Sequence, residues 1–153
     1  MSDDIHRACF RAALAVLAQR EHSRLEVQTK LLARGFAHEL AVQVVTQLEE
    51  QGILSEKRYV ETFVYQRVNR GQGPLKIIQH LRERGIKESM VAEYVSIGSR
   101  DWLQRAAEVR AKRFGAEPPQ EAQERARQSR FLQFRGFTTE QIKRVLRPSD
   151  ELL

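Results

Sequence analysis

The chain has 153 residues, 41% apolar and 30% charged, with a net charge of +6 and a pI near 9.9. Such a composition folds around a core yet keeps much charged surface, and its positive balance suits an acidic partner such as nucleic acid. A single cysteine, Cys9, excludes an internal disulfide and a cysteine metal cluster; no run nears the roughly 20 apolar residues of a membrane span, and the acidic start at Asp3-Asp4 lacks the order of a signal peptide, so a cytoplasmic protein off the membrane is expected.

The first helix is predicted from about Asp4 to Gln19, where Ile5, Cys9, Ala12, Ala13, Val16 and Leu17 recur at the helical period. Ser23-Arg24-Leu25-Glu26 is a capping box that starts a second helix ending at Arg34-Gly35. A third carries Leu40, Ala41, Val44, Val45 and Leu48 and stops at Gly52. Ser55 is the N-cap of a fourth, with Tyr59, Val60, Phe63, Val64 and Val68. Gly71-Gln72-Gly73-Pro74 follows, with proline placed to start a fifth helix whose apolar face is Pro74, Ile77, Ile78 and Leu81. A sixth carries Val91, Tyr94 and Val95 and ends near Gly98. Ser99 caps a seventh with Trp102, Ala106 and Val109, and the stretch from Phe114 to Pro119 breaks it. The eighth, about Pro119 to Phe134, has Gln128 and Ser129 where the fifth has Ile77 and Ile78, so it must pack differently or be less buried. Thr138-Thr139-Glu140-Gln141 caps a ninth with Ile142, Val145 and Leu146, which runs to Pro148 before a frayed tail.

One word recurs through these elements. Leu31–Phe36, Leu81–Ile86 and Leu132–Phe137 share Leu-x-x-Arg-Gly-(Phe/Ile), with glycines 50 and then 51 residues apart. With the glycine left-handed just past a helix end, the leucine falls at C3 and the Phe or Ile at C″, the two apolar positions of a Schellman cap. The expected fold is therefore all-α: three tandem three-helix repeats, residues 1–54, 55–98 and 99–153, forming an elongated, curved array.

Charge is uneven along that array. Residues 1–54 hold six basic and seven acidic groups, net −1. Residues 67–87 hold Arg67, Arg70, Lys76, Arg82, Arg84 and Lys87 against Glu83 alone, net +5, and residues 100–147 are net +6. Guanidinium forks suit phosphate and carboxylate equally, so this segment fits either a DNA backbone or an acidic protein surface. Gly71-Gln72-Gly73-Pro74 reads as a tight interhelical turn or, beside Arg70, as a helix-start anion site. Tyr59, Phe63 and Tyr65 read equally as core and as stacking aromatics. His6, His22, His38 and His80 have no metal-motif spacing and read as exposed, and no nucleophile or metal constellation is present. A binding protein without cofactor or metal is expected, not an enzyme.

The run Arg-Gly-Gln-Gly-Pro-Leu-Lys-Ile-Ile-Gln-His-Leu-Arg-Glu-Arg-Gly-Ile at 70–86 resembles the RecX family of bacterial regulatory proteins. So do Gly52-Ile-Leu-Ser-Glu-Lys-Arg-Tyr-Val-Glu-Thr-Phe63, the terminal Phe131-Leu-Gln-Phe-Arg-Gly-Phe137 and the tandem triplets, from about Ala12 to Leu146. The resemblance implies a negative regulator of the recombinase RecA. It would bind the groove of the RecA–DNA filament, inhibit filament extension and stability, and so lower ATP hydrolysis, strand exchange and co-protease activity. It implies single- or double-stranded DNA as a further direct partner. Matched positions carried over as interface candidates are Arg70, Gly71, Gly73, Pro74, Lys76, Arg82 and Arg84; Arg67 and Lys87 join them on charge. The alternative is a general nucleic-acid-binding helical module acting through its basic second and third repeats.

Overall fold

The structure, a computed structural model, describes residues 2–147; the ninth helix stops at Val145, short of the expected Pro148, and the expected tail lies outside the described residues. Every regular element among the described residues is a helix: α1 (Ser2–Gln19), α2 (Arg24–Ala33), α3 (His38–Glu50), α4 (Glu56–Asn69), α5 (Pro74–Glu83), α6 (Glu88–Tyr94), α7 (Asp101–Phe114), α8 (Ala122–Arg135) and α9 (Thr139–Val145). The nine helices fall into three successive triplets, as the hydrophobic periods predict.

Local chemistry sets most helix ends. Ser23 with Glu26 and Thr138 with Gln141 form complete capping boxes. Ser55 Oγ accepts the Arg58 N–H at 3.2 Å. All three copies of the repeated word are Schellman caps, with φ of 94° at Gly35, 78° at Gly85 and 100° at Gly136. The Phe36 N–H reaches Leu31 O at 3.2 Å, Ile86 reaches Leu81 O at 3.1 Å, and Phe137 reaches Leu132 O at 3.2 Å. Gly52 ends α3 the same way, its follower Ile53 bonding Leu48 O at 2.9 Å. Gly71 ends α4 with φ of 83° and a Gln72 N–H to Arg67 O bond of 3.0 Å.

Several boundaries and exposures differ from expectation. The N-cap of α7 is Arg100, with no side-chain capping bond, rather than Ser99, whose Oγ accepts the Asp101 N–H at 3.3 Å. Helix α6 ends at Tyr94 rather than near Gly98. Helix α8 begins at Ala122 rather than Pro119, because the preceding loop is held by a buried arginine. Arg110 is 6% exposed, and its guanidinium donates to the carbonyls of Gly115 (2.8 Å), Ala116 (3.4 Å) and Glu117 (3.3 Å) and to Gln128 Oε1 (3.2 Å). Gln128 is thus fully packed, and it supplies a buried acceptor where the second triplet supplies Ile77 and Ile78. Helix α1 starts at Ser2 rather than about Asp4 and buries Cys9, Ala13 and Val16, but Ile5 stays exposed ahead of the core. Tyr59 and Phe63 are core, whereas Tyr65 is exposed. His22, expected at the surface, is fully buried: its Nδ1 lies 2.9 Å from Arg20 O and its Nε2 accepts from Lys30 Nζ at 3.0 Å.

The chain gathers into two compact units. One comprises the residues up to Phe63 with Leu81–Met90, the other Val64–His80 with the residues from Val91 onward. The core of the first joins Cys9, Ala13 and Val16 of α1, Val27 and Leu31 of α2, and Ala41, Val44, Val45 and Leu48 of α3. Burial of each such side chain contributes about 1.5–3 kcal/mol for the larger ones. The second buries Ile77, Val91, Trp102, Ala106, Leu132, Phe137 and Ile142. The Trp102 indole N–H finds Ser96 O at 2.8 Å, and Gln141 Nε2 donates to Ile97 O at 3.0 Å, tying α9 to the α6–α7 connection.

Each unit contains one copy of the repeated turn pressed against the first turn of a middle helix. In the first unit, a Cβ added to Gly85 would lie 3.0 Å from Leu25 Cβ at the start of α2. In the second, a Cβ on Gly136 would lie 2.5 Å from Lys76 Cβ and 2.8 Å from its backbone nitrogen, at the start of α5. The turn of one triplet therefore docks on the middle helix of the triplet before it. That rule accounts for a division running through α4 and α5 rather than between triplets. At Gly35, in the first triplet, nothing among the described residues lies within 4 Å of an added Cβ.

Candidate functional site

The nine candidates divide between the units. Arg67, Arg70, Gly71, Gly73, Pro74 and Lys76 belong to the second, and Arg82, Arg84 and Lys87 to the first.

In the second unit, Arg67 is drawn inward: its Nη1 donates to His80 Nδ1 at 2.8 Å and to Gln72 Oε1 at 3.4 Å. The glycine-proline turn is spoken for by protein. The Gly73 N–H donates to Arg135 O at 2.7 Å and the Leu75 N–H to Gly136 O at 2.9 Å, so two amides that would face an anion at the start of α5 are occupied. Gly73 and Pro74 are buried, and a Cβ on Gly73 would fall 2.5 Å from the Gly136 carbonyl carbon. Of the two readings of this turn, the geometry supports the interhelical one: glycine is required for close backbone approach. Arg135 reinforces it through an Nη1 bond of 2.9 Å to Arg70 O. The Arg70 side chain itself is exposed and makes no hydrogen bond or ion pair among the described residues. Lys76 leans over the ring of Phe134, Nζ 4.5 Å from its centroid and 3.4 Å from its carbonyl oxygen.

In the first unit, Arg82 forks onto Glu88 at 2.6 and 3.1 Å. Both groups are bathed in solvent; the hydrogen bond from Arg82 lowers the Glu88 pKa and raises that of Arg82. A solvated pair of this kind exchanges readily for a partner's carboxylate or phosphate. Arg84 is structural: its guanidinium lies 5.0 Å from the Phe63 ring centroid and its Nε 4.0 Å from Glu26 Oε2. Glu26 is a hub. Burial alone would raise its pKa, but the Ser23 backbone N–H and the Arg20 guanidinium bond its carboxylate and hold it below the usual range. Lys87 is exposed, with no hydrogen bond or close ion pair among the described residues, and its charge reaches the Glu56 carboxylate at longer range.

Candidate chemistry thus reduces to a few available cations, Arg70 and Lys87 foremost, then Lys76 and Arg82. Sequence reasoning misses Phe134, the most exposed large apolar side chain among the described residues at 76%. It also misses the cation–aromatic patch around Phe114 and Phe131, whose rings stack edge-on at 5.2 Å with Arg113, Arg127 and Arg135 over them. The excess of basic residues in 100–147 marks the region in sequence, but not which arginines meet which rings.

Comparison with known proteins follows the same triplets. Residues 9–48, 55–94 and 100–146 match family models described as the first, second and third three-helix domains of RecX. "Regulatory protein RecX" of Halorhodospira halophila (strain DSM 244 / SL1) is 44% identical over 140 residues, covering 92% of this chain and 87% of the relative. The protein of the same name from Pseudomonas entomophila (strain L48) is 40% identical over 143 residues, covering 94% and 92%. The crystal structure of RecX from Lactobacillus salivarius superposes with a TM-score of 0.80 at 20% identity, over 95% of this chain and 96% of that one, a likeness of fold.

Proposed function

The chain belongs to the RecX family, and from that premise we propose that it is a negative regulator of RecA. It acts by binding rather than by catalysis. Lying in the groove of the RecA–DNA filament, it restrains filament extension and stability, and so lowers ATP hydrolysis, strand exchange and co-protease activity. The carrying observation is that Arg70 and Lys87, at either end of the run the family resemblance points to, are exposed and make no hydrogen bond or close ion pair among the described residues. Such cations suit an acidic filament surface or the phosphates it encloses.

The test is RecA's DNA-dependent ATP hydrolysis with the purified protein added. The rate should fall as the protein approaches stoichiometry with RecA. A rate that stays constant at excess protein ends this reading.

One observation favours a second reading, direct nucleic-acid binding. Exposed Phe134 beside Lys76, within a strongly basic third triplet, combines a stacking face with a phosphate-pairing cation. This reading expects equal affinity for naked DNA and for the filament, and a steep loss of both with salt.

A further inference from the structure

A groove of about 520 Å³ lies between α8 and α9 in the second unit, away from the 70–86 run. Arg125 of α8, Lys143 of α9 and Arg147 just beyond it line it, with Ser129 between them and Ala126, Ile142 and Leu146 as the apolar lining. Helical spacing builds it: 125, 126 and 129 fall on one face of α8, and 142 and 143 on α9, with Leu146 at its C-cap. Lys143 and Arg147 make no hydrogen bond or ion pair among the described residues, and Arg125 spends one N–H on Gln120 O at 3.0 Å. The acidic residues nearest in sequence do not line it. Glu124 is committed to Arg127 at 3.1 Å and to the Gln128 amide at 3.1 Å, and Glu121 and Glu140 are likewise absent from the lining. Three cations therefore share an apolar-walled depression that no carboxylate among the described residues lines.

We propose that this groove docks a short segment of a protein partner in which carboxylates flank an apolar side chain. Charge complementarity names the flanks, since the cations need anionic counterparts. The lining names the centre. A phosphodiester backbone would satisfy Arg125, Lys143 and Arg147 but would set nothing apolar against Ala126, Ile142 and Leu146; an acidic peptide with a leucine or similar residue satisfies both. The inference rests on the reading of the chain as a regulator that binds a protein partner, and gives that binding a second point of attachment. Two modest contacts on one chain strengthen each other through effective concentration.

The experiment is a fluorescence-anisotropy titration of the full chain with a fluorescein-labelled peptide of two leucines flanked on each side by two glutamates. Saturable binding is expected. Lys143→Glu with Arg147→Glu should weaken it about tenfold or more, the effect of losing well-placed charge pairs. Ala126→Trp, which fills the groove from an exposed position without changing charge, should weaken it as well, and oligothymidylate should compete poorly. Circular dichroism melts show that each variant is folded. Unsaturable binding, equal affinity in folded variants, or efficient displacement by oligothymidylate overturns the proposal, the last reassigning the surface to phosphate. The titration contains no RecA. Its failure therefore sinks the groove alone, whereas saturable peptide binding beside an unchanged RecA ATPase sinks filament regulation and leaves the groove.

Discussion

His22 and Arg110 show how single polar residues are held inside this small helical protein. Burial pushes the His22 pKa below its ordinary value of 6.5, with the Arg20 carbonyl opposing the shift and the nearby charges of Arg20 and Lys30 adding to it. The unfolded chain then takes up a proton near 6.5 that the folded chain rejects, so stability falls as pH drops through that range. Urea midpoints should decline from pH 7.5 to 5.5, and His22→Gln should flatten the decline. The Glu26 carboxylate, whose folded pKa is lowered, supplies stability that is present above the ordinary value and lost only at lower pH. Arg110 satisfies three carbonyls and the Gln128 amide oxygen at once. Arg110→Met leaves those acceptors unpaired and should cost about 2–3 kcal/mol in a denaturant titration. Arg84→Glu would set a second carboxylate against Glu26 and remove the cation from the Phe63 ring. Its loss of function would therefore report unfolding, and it is a poor probe of any interface.

Turns, more than helices, carry the specific information at the level of elements. The three copies of Leu-x-x-Arg-Gly make the same local cap, yet their glycines answer to different demands. Gly35 needs only positive φ, in open surroundings. Gly136 needs positive φ and the absence of a Cβ that would strike Lys76 backbone. Gly35→Ala should therefore cost about 1–2 kcal/mol, the left-handed strain alone, and Gly136→Ala clearly more, because rigid backbone cannot step aside. Gly73→Ala tests close approach by itself, since Gly73 has no positive φ but a Cβ there would meet the Gly136 carbonyl group. Thermal melts of the three variants should rank Gly35→Ala mildest; equal losses at Gly35 and Gly136 would refute the docking rule.

Across the whole molecule, function is read from charge left over after folding. Arg67 and Arg84 are consumed internally, while Arg70 and Lys87, one in each unit, make no hydrogen bond or close ion pair among the described residues. Arg70→Glu with Lys87→Glu should change stability by no more than about 0.5 kcal/mol, as exposed positions do, and should weaken inhibition of RecA's ATPase. Inhibition identical to that of the parent chain would remove both residues from the interface. The all-helical fold and most caps were legible in sequence because each rests on residues a few positions apart, Ser23 with Glu26, Thr138 with Gln141, Leu31 with Gly35 and Phe36, and the period because the same cap recurs. Candidate residues were legible as a group, but not which of them remain available. Only the tertiary structure decided that Gly73 meets Gly136 across 63 residues, that His22 is buried, that Gln128 serves Arg110, and that Phe134 stands in solvent. Local hydrogen bonds follow from neighbouring residue types, whereas burial and close approach depend on which distant segment arrives, and that is settled by packing.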